Sequence, residues 1–388
     1  MAVPNGNRKP SKKKSFSLND FKKKINDGDV PFKPVEWIKT SPALQNATGL
    51  PGFPKGYISL SRGFSNTGKS TSLLEGVVGA QKQGILPIIF DLENNIGKHR
   101  LDVMGFDWNQ DYIKLDTEYL LHNFGRKKDK NRNEPTIEDL ADAVNFFLNL
   151  QENGDLPREI LFAIDSIGPL NCVKTANAIE KDTAQNNMWN AGAYESAFKS
   201  ILNSRIPLSR KENKEFTNTM IAVQKIWLDT MNGKGVIKHK GGEAFFFGSR
   251  LIYHHGGILT HGTRAVSATS KSKKVRYGVE TNVNVAKNHI DGPLGGLSME
   301  GTLISTVKGF ITNDDIEKYK KDNILFFRKV LGEELSPEEI MTKYHQIQTV
   351  GDDEEQHIDD FNDTMKANFG NLKKDLDVDK DTGEIKDE

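Results

Sequence analysis

The stretch GFSNTGKST at residues 63–71 leaves this chain few folds to choose from. Gly63, Gly68, Lys69 and Ser70 satisfy the pattern G-x-x-x-x-G-K-[ST], in which a glycine-rich backbone cradles phosphates, the lysine reaches the β- and γ-phosphates and the hydroxyl meets Mg²⁺. The flanks give the pattern its context. GYISLSRG before it reads as a short strand through Tyr57, Ile58 and Leu60, and TSLLEGVVGAQKQG after it carries Leu73, Leu74, Val77 and Val78 at helical spacing up to a stop at Gly84. ILPIIFDLEN follows as a continuous apolar run, the mark of a strand buried on both faces of a parallel sheet. A loop between strand and helix suits an anion, because helix N-terminal N–H groups and the helix dipole converge there. The expectation is an α/β fold binding a nucleoside triphosphate through Gly63, Phe64, Ser65, Asn66, Thr67, Gly68, Lys69, Ser70 and Thr71.

Two further apolar strands end in acids. IIFDLENN puts Asp91 and Glu93 at the C-terminal end of its strand, where ligands of open α/β sheets bind. ILFAIDSIG ends at Asp165 and Ser166, the form of a strand whose aspartate orders the Mg²⁺ shell. Between them, IEDLADAVNFFLNL (137–150) is amphipathic and supplies the crossover helix that parallel strands need. Glu93 is the expected base for the attacking water; Asp91 caps or orients. A fourth strand, NTMIAVQ, ends at Gln224, which reads either as a γ-phosphate sensor or as a plain strand-end residue.

Composition sets limits. With 36% hydrophobic and 27% charged residues, no run approaches the ~18 apolar residues of a membrane span. No apolar segment follows the basic MAVPNGNRKPSKKK, so no secretory signal is expected. The single cysteine, Cys172, excludes an internal disulfide and a cysteine-built zinc site, and a cytoplasmic setting is the natural reading. The zero net charge hides an asymmetry: residues 1–40 hold ten Lys/Arg against four Asp/Glu, and residues 350–388 hold fourteen Asp/Glu against five Lys. Each end reads as a solvated tail, or as a basic arm near a polyanion and an acidic tail competing with it.

Lys225, Lys234, Lys238 and Lys240 are spaced by glycine and polar residues around one aromatic, Trp227. Such a segment neutralises phosphates without reading sequence and stacks on a base, or is a surface loop with Trp227 buried. GTRAVSATSKSKKVRYG (262–278) reads as a hairpin, either touching duplex DNA or solvated, and the insert GRKKDKNRNEP (125–135) as a solvated loop. His254 and His255 sit in an apolar strand, where satisfied core histidines are expected.

With these segments in view, the chain resembles the RecA-type recombinases, most closely their phage UvsX-like branch. The resemblance covers roughly 35–315 and rests on ordered segments: GLPGFPKGYISLSRG, the loop, IIFDLEN, FAIDS, AVQ, GGEAFFFGSRLIYH and VNVAKNHIDGP. It implies a RecA-like ATPase core with a mostly parallel central sheet flanked by helices. Glu93 falls at the family's catalytic glutamate, and Gln224 at the glutamine coupling ATP to DNA. Residues 172–192 and 225–244 fall at the two DNA-binding loops, the second ending at Gly241 and Gly242. Lys287 matches the first of two lysines reaching the next subunit's γ-phosphate, but His289 replaces the second. Arg100 lies near the place of an adenine-stacking tyrosine that this chain lacks.

The implied organisation is a basic arm (1–35) whose Phe16, Leu18 and Phe21 dock on a neighbour, a core (36–315), a helical segment (316–349) and an acidic tail (350–388). The implied function is an ATP- and Mg²⁺-dependent recombinase forming helical homo-oligomers on single-stranded DNA, with ATP between subunits, and exchanging strands with homologous duplex. A loading mediator and a single-strand-binding protein are the further partners, and a phage-encoded protein would work in host cytoplasm. A hexameric helicase of the same fold and a non-catalytic ATP-gated mediator are the alternatives.

Overall fold

The computed structural model of the protein describes residues 18, 30–125, 133–180, 187–229, 236–239, 243–256, 263–270, 273–290, 300–315 and 318–319. Phe16, Phe21, Lys234, Lys240, Gly241, Gly242, nearly all of the 316–349 segment and the acidic tail lie outside them.

In chain order the strands are β1 (Trp37–Lys39), β2 (Gly52–Pro54), β3 (Ile58–Gly63), β4 (Leu86–Asp91), β5 (Ile113–Asp116), β6 (Ile160–Ile167), β7 (Thr219–Asp229), β8 (Val236–His239), β9 (Leu251–His255), β10 (Thr263–Ser270), β11 (Lys273–Asn288), β12 (Glu300–Thr306) and β13 (Gly309–Ile311). The helices are α1 (Pro42–Thr48), α2 (Lys69–Gln81), α3 (Lys98–Met104), α4 (Thr117–Phe124), α5 (Ile137–Glu152), α6 (Val173–Glu180), α7 (Asn187–Ser200), α8 (Ile206–Leu208) and α9 (Ala244–Gly248).

The order across the central sheet is β13-β12-β11-β9-β3-β7-β6-β4-β5, with β10 pairing β11 and β8 pairing β7. The stretch from β9 to β5 is parallel throughout, and β11, β12 and β13 extend it antiparallel. The apolar strands are continuous because both faces are covered, and successive residues divide between two cores. Along β6, Ile160, Phe162 and Ile164 join one core while Leu161 and Ala163 join the other. Along β7, Met220 and Ala222 face the first, Ile221 and Val223 the second. The first core takes residues of α5, α7 and α9; the second takes Leu73, Leu74, Val77 and Val78 of α2 together with α1 and Ile38.

α5 begins with a capping box. Thr136 accepts the Asp139 N–H at 3.4 Å and Asp139 accepts the Thr136 N–H at 2.8 Å, which fixes where the crossover starts. The strand expected to end at Gln224 instead runs to Asp229 and pairs antiparallel with β8, Trp227 opposite Lys238. Alternation explains the extension: Ile226 is buried between the exposed Lys225 and Trp227. The 262–278 hairpin is present as β10 and β11, Ser270 opposite Lys273.

Candidate functional site

Parallel register brings the C-terminal ends of five strands to one edge. Gly63 lies opposite His255 and Lys225, Arg62 opposite Gln224, and Asp91 opposite Asp165. The ladder between β6 and β7 breaks between Ile164 and Ile167, so Asp165 and Ser166 fall outside it. This edge carries the sequence-predicted acids and the loop together.

Loop 63–68 closes between β3 and α2. Asn66 (φ 57) and Gly68 (φ 87) adopt the left-handed conformation, which asparagine tolerates and glycine adopts without strain. At Gly63 a Cβ would collide with the His255 carbonyl, and at Gly68 it would come within 2.8 Å of the Phe310 ring. The Thr67 hydroxyl donates to the Phe64 carbonyl at 2.9 Å, and the Lys69 ammonium donates to the same oxygen. Lys69 is buried; desolvation lowers its pKa to about 8, with Asp165 working in the other direction. Asp165 is buried as well, and desolvation raises its carboxyl to about 6 although Ser70 donates to it. Lys69 and Asp165 are thus both poorly hydrated, and the half-buried Ser70 hydroxyl lies on the Asp165 carboxylate.

Glu93 is exposed on the turn after β4 and accepts hydrogen bonds from the Ser166 hydroxyl and, at 3.3 Å, from Asn95 Nδ2. Asp91 shapes that turn. Its two oxygens accept the N–H groups of Asn95 (2.9 Å) and Ile96 (3.1 Å), and Lys114 pairs with it at 2.9 Å. Arg100, from α3, donates to the Thr71 hydroxyl at 3.0 Å, and Thr71 shares a 2.7 Å hydrogen bond with Ser305 of β12. Gln224 is fully buried between Arg62 of β3 and Ile167 of β6. Lys225 lies near enough to Lys69 to depress its pKa.

Other predicted residues stand apart. Lys287 pairs with Ile252, near the start of β9 and thus toward the opposite edge of the sheet. Its ammonium donates to the carbonyls of Phe246 (3.0 Å) and Phe247 (3.3 Å) on α9, and desolvation lowers its pKa. His289 is exposed, its N–H bonded to the Arg250 carbonyl at 2.8 Å. Trp227 and Lys238 are exposed on the β7–β8 hairpin, and the 172–192 segment includes α6 and the start of α7, where Lys174 sits 4.0 Å over the Trp189 ring. His254 and His255 are buried as expected of core histidines. Among the described residues neither ring nitrogen of His255 finds the expected hydrogen bond, and the ring instead stacks on Phe310, with ring centroids 6.0 Å apart and planes at 12°.

Sequence reasoning missed Ser166 as the partner of Glu93, Arg62 as a cation over the Phe246 ring (5.0 Å), and the approach of β12 and β13 to the loop. The adjacency of Ser166 to Asp165 was the available signal for the first. The others join residues far apart in sequence and leave no local trace.

For Mg²⁺ the donors fit, since the Ser70 hydroxyl and the Asp165 carboxylate are oxygen donors that already touch. Among the described residues no group of three or more His, Cys, Asp or Glu side chains converges on a metal position. No helix of the described residues is long and apolar enough to cross a membrane.

No protein-family model matches the chain. It is 33% identical over 111 residues to protein RecA of Aquifex aeolicus (strain VF5), covering 26% of this chain and 32% of that protein. It is 32% identical over 104 residues to protein RecA of Aquifex pyrophilus, covering 25% and 30%. The protein RecA of a Sulfurovum species (strain NBC37-1) is 37% identical over 78 residues, covering 20% and 21%. The chain spans a third or less of the length of these relatives. Distant and partial as they are, these likenesses support a RecA-type family, in keeping with the α/β core and its mostly parallel sheet.

Proposed function

We propose that the chain is an ATP-dependent DNA recombinase of the RecA type, assembling on single-stranded DNA with the nucleotide between neighbouring subunits and exchanging strands with homologous duplex. The observation that carries the reading is the buried Lys69 and Asp165, with the Ser70 hydroxyl on the Asp165 carboxylate and Ser166 bridging to Glu93, on the C-terminal edge of a mostly parallel sheet. A buried ammonium and a buried carboxylate, each shifted toward neutrality, suit a site completed by phosphate oxygens and a divalent cation. The partial likeness to RecA proteins supports the DNA partner and self-assembly.

In this reading the loop and Lys69 hold the β- and γ-phosphates, and the Ser70 hydroxyl and Asp165 order the Mg²⁺ shell. Bound Mg²⁺ neutralises charge on the phosphate oxygens. Glu93, oriented by Ser166 and by the turn that Asp91 ties, polarises the attacking water. Arg100, linked through Thr71 to the loop, lines the nucleotide. Gln224, the last β7 residue paired with β6, relays the state of the γ-phosphate along β7 to Lys225 and to Trp227, which pairs with Lys238. Lys234, Lys240, Gly241 and Gly242 complete the DNA-binding segment, and Lys287 with His289 meets the nucleotide of the next subunit. Backbone-directed cations and one aromatic predict little sequence preference.

Electron microscopy with single-stranded DNA and a slowly hydrolysed ATP analogue tests the proposal. Helical filaments that vanish without nucleotide are expected. Closed rings would point instead to a helicase, and isolated particles to a mediator.

A further inference from the structure

Glu75 lies on α2, two turns beyond the phosphate loop, and is almost fully buried. Its carboxylate collects three donors from distant segments. Ser41 gives its N–H at 3.1 Å and its hydroxyl at 2.8 Å to Oε2, and Phe310 gives its N–H at 2.7 Å to Oε1. Among the described residues no cation forms an ion pair with it. A carboxylate buried without a counter-charge is costly and persists only where donors replace its lost water, and all three of these donors are spent on one side chain.

What Glu75 holds bears on the loop. Ser41 also accepts the Leu44 N–H at 3.3 Å as the N-cap of α1, so α1 is tied to α2 at its first turn. Phe310 belongs to β13, whose hairpin partner β12 carries Ser305, the partner of Thr71. The Phe310 ring fills the space beside Gly68 so closely that only a residue without Cβ fits there, and it stacks on His255. Gly309 (φ 107) precedes it as the first residue of β13, and a Cβ there would sit 2.8 Å from Glu75 Oε1.

We infer that Glu75 is a positioning residue for nucleotide binding: by anchoring the backbone of Phe310 to α2, it fixes the Phe310 ring against Gly68 and so sets the shape of the phosphate cradle. The inference rests on the reading of residues 63–70 as a phosphate site. A purely structural tie would lower thermal stability and leave nucleotide affinity alone, because the folded fraction far below the melting temperature would be unchanged.

The test is calorimetric titration of the full chain, free of DNA, with Mg–ADP at a temperature well below unfolding. Glu75→Ala is expected to bind about tenfold more weakly, the affinity equivalent of one charge-assisted hydrogen bond to phosphate. Glu75→Gln should keep most of the affinity: its carbonyl still accepts the Phe310 N–H on which the inference depends, and its amide can donate to Ser41 Oγ, although the Ser41 N–H loses its acceptor. Phe310→Ala should match Glu75→Ala, and the double variant should be no weaker than the weaker single. Folded Glu75→Ala with wild-type affinity, or losses that multiply in the double variant, would overturn the inference alone. If Glu75→Ala does not fold, Phe310→Leu carries the test, because it leaves the Glu75 hydrogen bonds intact and removes only the ring; wild-type affinity in that variant overturns the inference. Absence of binding by the wild-type chain overturns the phosphate-site reading and this inference with it.

Discussion

His255 ends β9 fully buried, with neither ring nitrogen hydrogen-bonded among the described residues, so a proton placed there finds nothing to replace the water left behind. Desolvation, reinforced by Lys69, lowers its pKa from 6.5 to about 3. Because the folded value lies below the unfolded one, this contribution to stability is complete above pH 6.5 and is lost as pH falls from 6.5 toward 3. Between pH 6.5 and 5 the loss is about 2 kcal/mol. His255→Phe, which keeps a ring stacked on Phe310, should flatten that part of the curve in urea titrations; a variant losing stability as steeply as wild type would contradict the assignment. Single-residue chemistry was legible in the sequence only where it was local. Lys69, Ser70 and Asp165 stand out as a loop followed by an apolar strand ending in an acid. The hydrogen bond between Thr71 and Ser305 and the one that the Phe310 N–H donates to Glu75 span 234 and 235 positions, and no periodicity encodes them.

Among the elements, β11 shows how one extra residue redirects a side chain. Val285 pairs with Tyr253 and Lys287 with Ile252, so Ala286 is bulged, and the inward positions move from Val283 and Val285 to Asn288 and Ile290. Lys287 is thereby aimed at the C-terminal carbonyls of α9, where a cation also meets the negative end of the helix dipole. Lys287→Met should cost about 1 kcal/mol in thermal unfolding. On the proposed function it should also lower DNA-stimulated ATP turnover about tenfold or more, while the unassembled chain keeps its nucleotide affinity within about twofold. Turnover at the wild-type level would remove Lys287 from the trans role. A helix with strong periodicity, such as α5, and a continuous apolar strand, such as β6, were readable from sequence, whereas the bulge and the continuation of β7 into the β7–β8 hairpin depend on which neighbour each strand meets.

Across the whole molecule, one sheet separates two cores, and adjacent residues belong to different ones. Met220 and Ile221 are both fully buried, the first among α5 and α7 side chains, the second against α2. Truncating either to alanine should cost about 2–5 kcal/mol. Since every parallel strand is shared, the described core should unfold as one unit. Trp189 packs on the first core and Trp37 on the second, so single-tryptophan variants report each face. Met220→Ala and Ile221→Ala are each expected to shift both reporters equally; a shift confined to one reporter would mean that the faces unfold separately.

Parallel strands also give the molecule a direction. Gly63, Asp165 and Gln224 gather where the strands finish, and Lys287 lies toward the side where β9 starts. Copies joined through these two unlike sides use different patches on each partner, a head-to-tail contact that need not close on itself. On the proposed function, a polymer grown that way would carry an arrow: one terminus would display a nucleotide pocket awaiting its lysine, the other a lysine awaiting a pocket, so subunits would join and leave the two termini at unequal rates.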